Sequence, residues 1–189
     1  MKKIIVPEEV DYNVTTLVIL VAGIIVKFVL GTRIEGSLTK SIKKDILKEK
    51  DVKGVFDLVL NDYGPDKYLG SVHIEVNDTL TVAHIDKISR RITKQVAEKY
   101  GVILHTIGVY SINTKDMDII EAKKKVEKIV FSHKEILQMH GFYLDVKDDI
   151  IIDFEARDRE KTYRDIYDAV QKEFKDYIIA ITLDVDASD

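Results

Sequence analysis

Five histidines, His73, His84, His105, His133 and His140, are the side chains of this sequence best suited to hold a transition metal, because no cysteine is present to supply a thiolate. Neutral imidazole suits zinc. The lack of cysteine also excludes a disulfide scaffold, a thiolate zinc site and a cysteine nucleophile. The acidic tail from Asp184 to Asp189 has the look of a calcium loop. It lacks the sixth-position glycine and the twelfth-position glutamate, so it reads as a solvated terminus. No Gly-rich phosphate loop, nucleophile elbow or zinc-protease motif occurs. With no activated nucleophile and no paired acid and base, the expectation is a protein that is not an enzyme.

The elements that must position these histidines come from 189 residues, 33% charged and 46% hydrophobic. That composition is globular, and the length allows one large core or two small ones. With 29 basic against 33 acidic side chains, the net charge is −4. A slightly acidic chain has no basic face to release phosphate counterions, so nucleic acid is not an expected partner.

From Val14 to Leu30 the sequence carries a single charge, Lys27, and no polar face of the kind a core helix needs. Seventeen residues span about 25 Å as a helix, and Lys27 can snorkel, so the run reads as a transmembrane helix. A buried helix or a buried β-branched strand are the alternatives. Glu8, Glu9 and Asp11 directly before the run argue against a secretory signal. Arg33, Lys40, Lys43 and Lys44 follow it, and this basic excess places everything after Leu30 in the cytoplasm.

Beyond the run one order of elements occurs twice. Ser37 caps a helix with Leu38, Ile42 and Ile46 on its apolar face, followed by a strand near Gly54 to Leu60. After a turn cluster at 61–66, Leu69 to Val76 alternates, with Val72, Ile74 and Val76 on one side and Ser71, His73 and Glu75 on the other. Thr79 or Thr81 caps a helix carrying Val82, Ile85, Ile88, Ile92 and Val96, and Val102 to Tyr110 returns as a strand. Downstream come a helix over Met117 to Ile129, a strand from Glu135 to Asp145, a turn at 147–149 and a strand from Ile150 to Ala156. A helix capped by Asp158 and a last strand from Tyr177 to Val185 complete the repeat. Helix starts at Thr81 and Asp158, and last strands at Val102 and Ile178, repeat at offsets of 77 and 76 residues. An αββαβ unit has been duplicated. Its crossover helix packs on one sheet face and leaves the other for a domain, a partner or water. The fold expected is α+β: a flank over 1–12, a transmembrane helix over 13–31, and two αββαβ domains over 32–113 and 114–189.

Val52-Lys53-Gly54-Val55-Phe56-Asp57-Leu58, Tyr63-Gly64-Pro65, Gly70-Ser71-Val72-His73-Ile74-Glu75-Val76 and Ala83-His84-Ile85 together resemble the cytosolic C-terminal domain of the cation diffusion facilitator transporters. Gln138-Met139-His140-Gly141-Phe142-Tyr143 and Ile151-Ile152-Asp153-Phe154 resemble a second cytosolic domain carried by a bacterial branch of that family. The resemblance implies ferredoxin-like domains that dimerise and modulate export of divalent metal, zinc foremost, with iron or manganese as alternatives. The expected partners are a second copy of the chain, full-length transporter subunits and membrane lipid. The expected location is the plasma membrane with the C-terminal domains in the cytoplasm. Most of the family's membrane helices have no counterpart, and Val14 to Leu30 contains no Asp, Glu or His to bind an ion. The chain is therefore expected to be a regulatory portion that does not transport alone.

By resemblance, His73, His84 and His105 fall where family members bind regulatory metal. Phe56 stands where many relatives carry histidine, and Ile107 where they carry aspartate; Glu75 or Asp57 are the available substitutes. Read without the family, His73 is a solvated strand residue, His84 a helix-surface residue and His105 a partly buried one. His140, before Gly141 in an apolar strand, reads as packing, His133 as surface, and Lys123-Lys124-Lys125 as a wet helix face with a small prospect of touching anionic lipid. A different class of function, a membrane-tethered ferredoxin-like sensor or protein-binding module, would ignore zinc.

Overall fold

The computed structural model describes residues 12–30, 32–33, 36–64, 68–144, 149–156 and 159–184. The apolar run forms helix α1 (Tyr12–Leu30). Its described side chains, 14–26, are all exposed, with Leu17 at 61% and Ile19 at 66%. A Cβ added at Gly23 would meet nothing within 4 Å. α1 is thus neither a buried helix nor a buried strand. Among the described residues no helix is long and apolar enough to cross a membrane.

A two-residue strand β1 (Thr32–Arg33) edges the first sheet. Helix α2 (Gly36–Ile46) then leads into β2 (Val52–Asp62), β3 (Tyr68–Asn77), helix α3 (Val82–Tyr100) and β4 (Val102–Ile112). The second half repeats the order with α4 (Met117–Val130), β5 (Ile136–Leu144), β6 (Asp149–Ala156), α5 (Arg159–Glu173) and β7 (Ile178–Asp184). The sheets are β1-β2-β3-β4 and β5-β6-β7. In each, the first hairpin is antiparallel and the strand after the crossover helix joins in parallel.

Local chemistry fixes the helix ends. Thr81 rather than Thr79 caps α3, its Oγ1 accepting from the His84 N–H at 3.3 Å, and Gly101 closes the helix with φ 66°. Asp116, unremarked in the sequence, caps α4 through the N–H groups of Asp118 and Ile119. α2 begins at Gly36, so Ser37 is a helix residue, not the cap. Asp149 opens β6 instead of closing the turn, and the cap Asp158, positions 147 and 148, and the tail from 185 lie outside the described residues.

Two cores form. Ile42, Leu58, Val72, Ile74, Ile88, Ile92 and Val96 are buried under α2 and α3, and Val126, Ile150, Ile152, Ile166 and Val170 under α4 and α5. Each fully buried isoleucine stabilises its unit by roughly 1.5–3 kcal/mol relative to exposure. Polar contacts fasten α2 to α3. The Asp45 carboxylate, 7% exposed, accepts from Lys48 at 2.7 Å, from Lys99 and from Tyr100 Oη at 2.6 Å. These three donors, Lys48 first, hold its pKa well below the ordinary carboxylate range. Arg91 on α3 donates to Glu49 at 2.9 Å beside them.

Candidate functional site

The hairpin β2–β3 slips register between Phe56↔His73 and Val59↔Ser71, so Asp57 and Leu58 together oppose Val72. Asp57 takes the left-handed conformation at this bulge, φ 52°, which aspartate tolerates better than most residues. Leu58 enters the core, and the Asp57 carboxylate is left 14% exposed on the opposite face.

Three rings surround that carboxylate. Tyr110 of β4 donates its hydroxyl to Asp57 Oδ2 at 2.7 Å. His73 of β3 brings Nδ1 to 2.9 Å from the same oxygen, and His140 of β5 brings Nε2 to 3.4 Å from Oδ1. The His73 approach is short but misdirected for a hydrogen bond, and we read it as a close electrostatic contact. The rings stack: His73 on Tyr110 at 4.6 Å between centroids, His140 on Tyr110 at 5.5 Å and on Phe56 at 4.8 Å. Gly108, paired with His73 across the ladder, makes the shelf on which the imidazole lies; a Cβ there would stand 2.1 Å from His73 Cδ2.

The cluster joins the two units. His140, expected to pack, does so with its side chain fully enclosed. Lys123 of α4 reaches Glu75 of β3 at 3.6 Å and is 27% exposed, so the first member of the lysine run is not on a wet face. A cavity of about 270 Å³ beside this contact is lined by Asp78, Ile112, Ile119, Lys123, Phe142 and Leu144.

The three histidines singled out in the sequence go to different surroundings. His73 joins the Asp57 cluster, half-buried. His84 sits in the first turn of α3 with Nε2 3.2 Å from Asp51. His105 is exposed instead of partly buried, because the alternation of β4 puts it with exposed Ile103, opposite buried Val102 and Leu104, and the bulge between Gly70↔Leu104 and Ser71↔Thr106 leaves it unmatched in the ladder. It lies by a shallow groove with Ser89, Arg90 and Thr93. No contact among the described residues joins any two of the three. Half-buried His133 sits in the turn after α4.

Among the described residues no group of three or more histidine, aspartate or glutamate side chains is arranged to hold a metal ion. Asp57 explains why in its own case: its oxygens are divided between two imidazoles and a tyrosine hydroxyl instead of converging with them on one point. The arrangement is a polar hub inside an aromatic contact. Sequence reasoning named Asp57 and His140 but not their meeting, which depends on how the second unit docks. The sequence marks Tyr110 only as the end of a strand.

Residues 34–107 match the family model described as the cytoplasmic domain of cation efflux proteins. The solved structure of a doubly substituted MamM-CTD aligns over 42% of this chain and 94% of its own length, at 18% identity and a TM-score of 0.34. No curated protein matches the sequence. Over residues 34–107 the family match bears out the resemblance, drawn from sequence, to the cytosolic domain of the cation diffusion facilitators.

Proposed function

We propose that this chain is the cytosolic regulatory and dimerising portion of a divalent-cation efflux system, held at the plasma membrane by α1 and without transport sites of its own. The observation that carries the reading is the span of the efflux-domain match, 34–107, which falls on α2 through β4. The exposed apolar side chains of α1 support the tether, because a surface of this kind is stabilised by lipid. The cation, zinc first and iron or manganese after it, is sensed and not moved. His73 and His84 each already stand beside a carboxylate, Asp57 and Asp51, and His84 and His105 reach the surface, where ligation is completed by a second copy or a full-length transporter subunit. A cation bound only by the associated form strengthens association by linkage.

Sedimentation velocity of the full chain in detergent, with and without zinc, tests this. The expected outcome is a dimer whose dissociation constant falls on adding zinc, and whose zinc response is lost in His84→Ala/His105→Ala. A monomer indifferent to zinc overturns it and leaves the tethered sensor or protein-binding module.

A further inference from the structure

The two units are matched position for position in their hairpins. The pairs Val52↔Val76, Gly54↔Glu75, Val55↔Ile74, Phe56↔His73 and Val59↔Ser71 recur as Ile136↔Ala156, Gln138↔Glu155, Met139↔Phe154, His140↔Asp153 and Tyr143↔Ile151. Both bulges recur with them, and the residue after each pair-matched ring is left-handed, Asp57 with φ 52° and Gly141 with φ 62°. Phe56 and His140 are therefore the same position of the same motif. Both lie on the sheet face turned away from the helices, since the alternate positions, Val72 and Ile74 in one unit and Ile150 and Ile152 in the other, fill the two cores.

These two counterparts stack on each other, at 4.8 Å and 29°. A position meeting its own equivalent is the mark of an isologous contact, in which a two-fold axis passes between the partners. We infer that the second unit occupies, within the same chain, the open sheet face of the first, so that the tandem is an internal dimer with its local axis between Phe56 and His140. Two asymmetric contacts lock it: Asp57 with His140, where the second unit offers only Gly141 in return, and Glu75 with Lys123. Connectivity favours the arrangement. Only residues 113–116 separate β4 from α4, and a short linker gives its ends an effective concentration in the millimolar range, far above that of a second copy. Dimerisation of the whole chain then uses surfaces other than this face.

The chain has no cysteine, so the contact can be tested without background labelling. Full chain carrying Phe56→Cys and His140→Cys is treated with a short bismaleimide, beside an equimolar mixture of the two single variants. The internal dimer gives a cross-linked product of monomer mass from the double variant and no linked product from the mixture. Linkage in the mixture equal to that in the double variant overturns it, as do two thiols in the double variant that label separately. Should the double variant fail to fold, a nuclear Overhauser effect between the Phe56 and His140 rings in unsubstituted chain is the readout. It is expected to persist on dilution, and its loss from folded, dilute chain has the same overturning force.

Discussion

Asp57 and Gly141 occupy one and the same bulge position, each left-handed, yet only one of them is a glycine. The backbone demand is shared and the side-chain role is not. At Gly141 an L side chain adds backbone strain, so Gly141→Ala is expected to lower the stability of the second unit by about 1–2 kcal/mol. For a unit of this size that is roughly 4–8 °C of melting temperature per kcal/mol. At Asp57 the order among substitutions is diagnostic. Asparagine tolerates the same backbone and still accepts from Tyr110, so Asp57→Asn is expected to melt above Asp57→Ala. Equal melting temperatures for the two would mean that neither backbone preference nor hydrogen bond matters there.

Gly108 is required for a different reason, close approach. A methyl at this position would stand 2.1 Å from the His73 ring, which must then leave the shelf and its carboxylate. Gly108→Ala is expected to cost about 1–3 kcal/mol, the usual range for overpacking. The same change made in a His73→Ala background should cost little, because the clashing atoms are gone. Urea denaturation of the four chains of this double-mutant cycle measures the coupling, and additive losses would show that His73 does not rest on Gly108.

The elements were legible because each carries its own period. Val72, Ile74 and Val76 alternate in β3, and Ile88, Ile92 and Val96 recur every four residues in α3, so the core face of each could be read before any tertiary contact was known. The duplication was legible for the same reason. What was not legible depends on single inserted residues. The bulge that turns Asp57 outward and the one that leaves His105 unpaired in the ladder each shift the alternation by one position, and the sequence shows no mark of either. The meeting of His140 with Asp57 needs the docking of one unit on the other. No local pattern encodes that, so His140 read as packing, a true but incomplete description. Lys123 looked solvated for a similar reason, since its partner Glu75 belongs to the other unit.

Asp45 makes the acid stability of the first unit predictable. Its carboxyl is held below the ordinary 3.8 by Lys48, Lys99 and Tyr100, and the Lys99 ammonium is correspondingly raised above 10.5, chiefly by Asp45. A depressed folded-state carboxyl contributes stability that is fully present above the unfolded value and is lost as pH falls through the folded one. The raised lysine contributes stability present below 10.5 and lost as pH rises past its folded value. Asp45→Asn is therefore expected to denature earlier than the parent chain at pH 7, with the gap closing progressively below pH 3.8. Denaturation midpoints taken across that window check it, and a gap that stays constant into strong acid would assign the loss to packing and not to charge.

The apolar surface of α1 sets the last expectation. From Val14 to Val26 its side chains face solvent, with Val21 near the middle of the helix at 48% exposure. If lipid is what covers this surface, a carboxylate at its centre must be buried in hydrocarbon or pull the helix out. The cost of an aspartate at the centre of an inserted helix is about 2.5–3.5 kcal/mol, equivalent to roughly a hundredfold weaker partitioning. Val21→Asp is accordingly expected to reduce co-sedimentation with neutral phosphatidylcholine vesicles by about that factor. Its two αββαβ units should melt as in the parent chain, because their cores lie under α2 to α5 and take nothing from the described side chains of α1. Neutral vesicles are chosen so that the lysines of α2 and α4 gain nothing from surface charge. Undiminished vesicle binding by Val21→Asp would remove α1 as the tether and, with it, the membrane half of the proposed function.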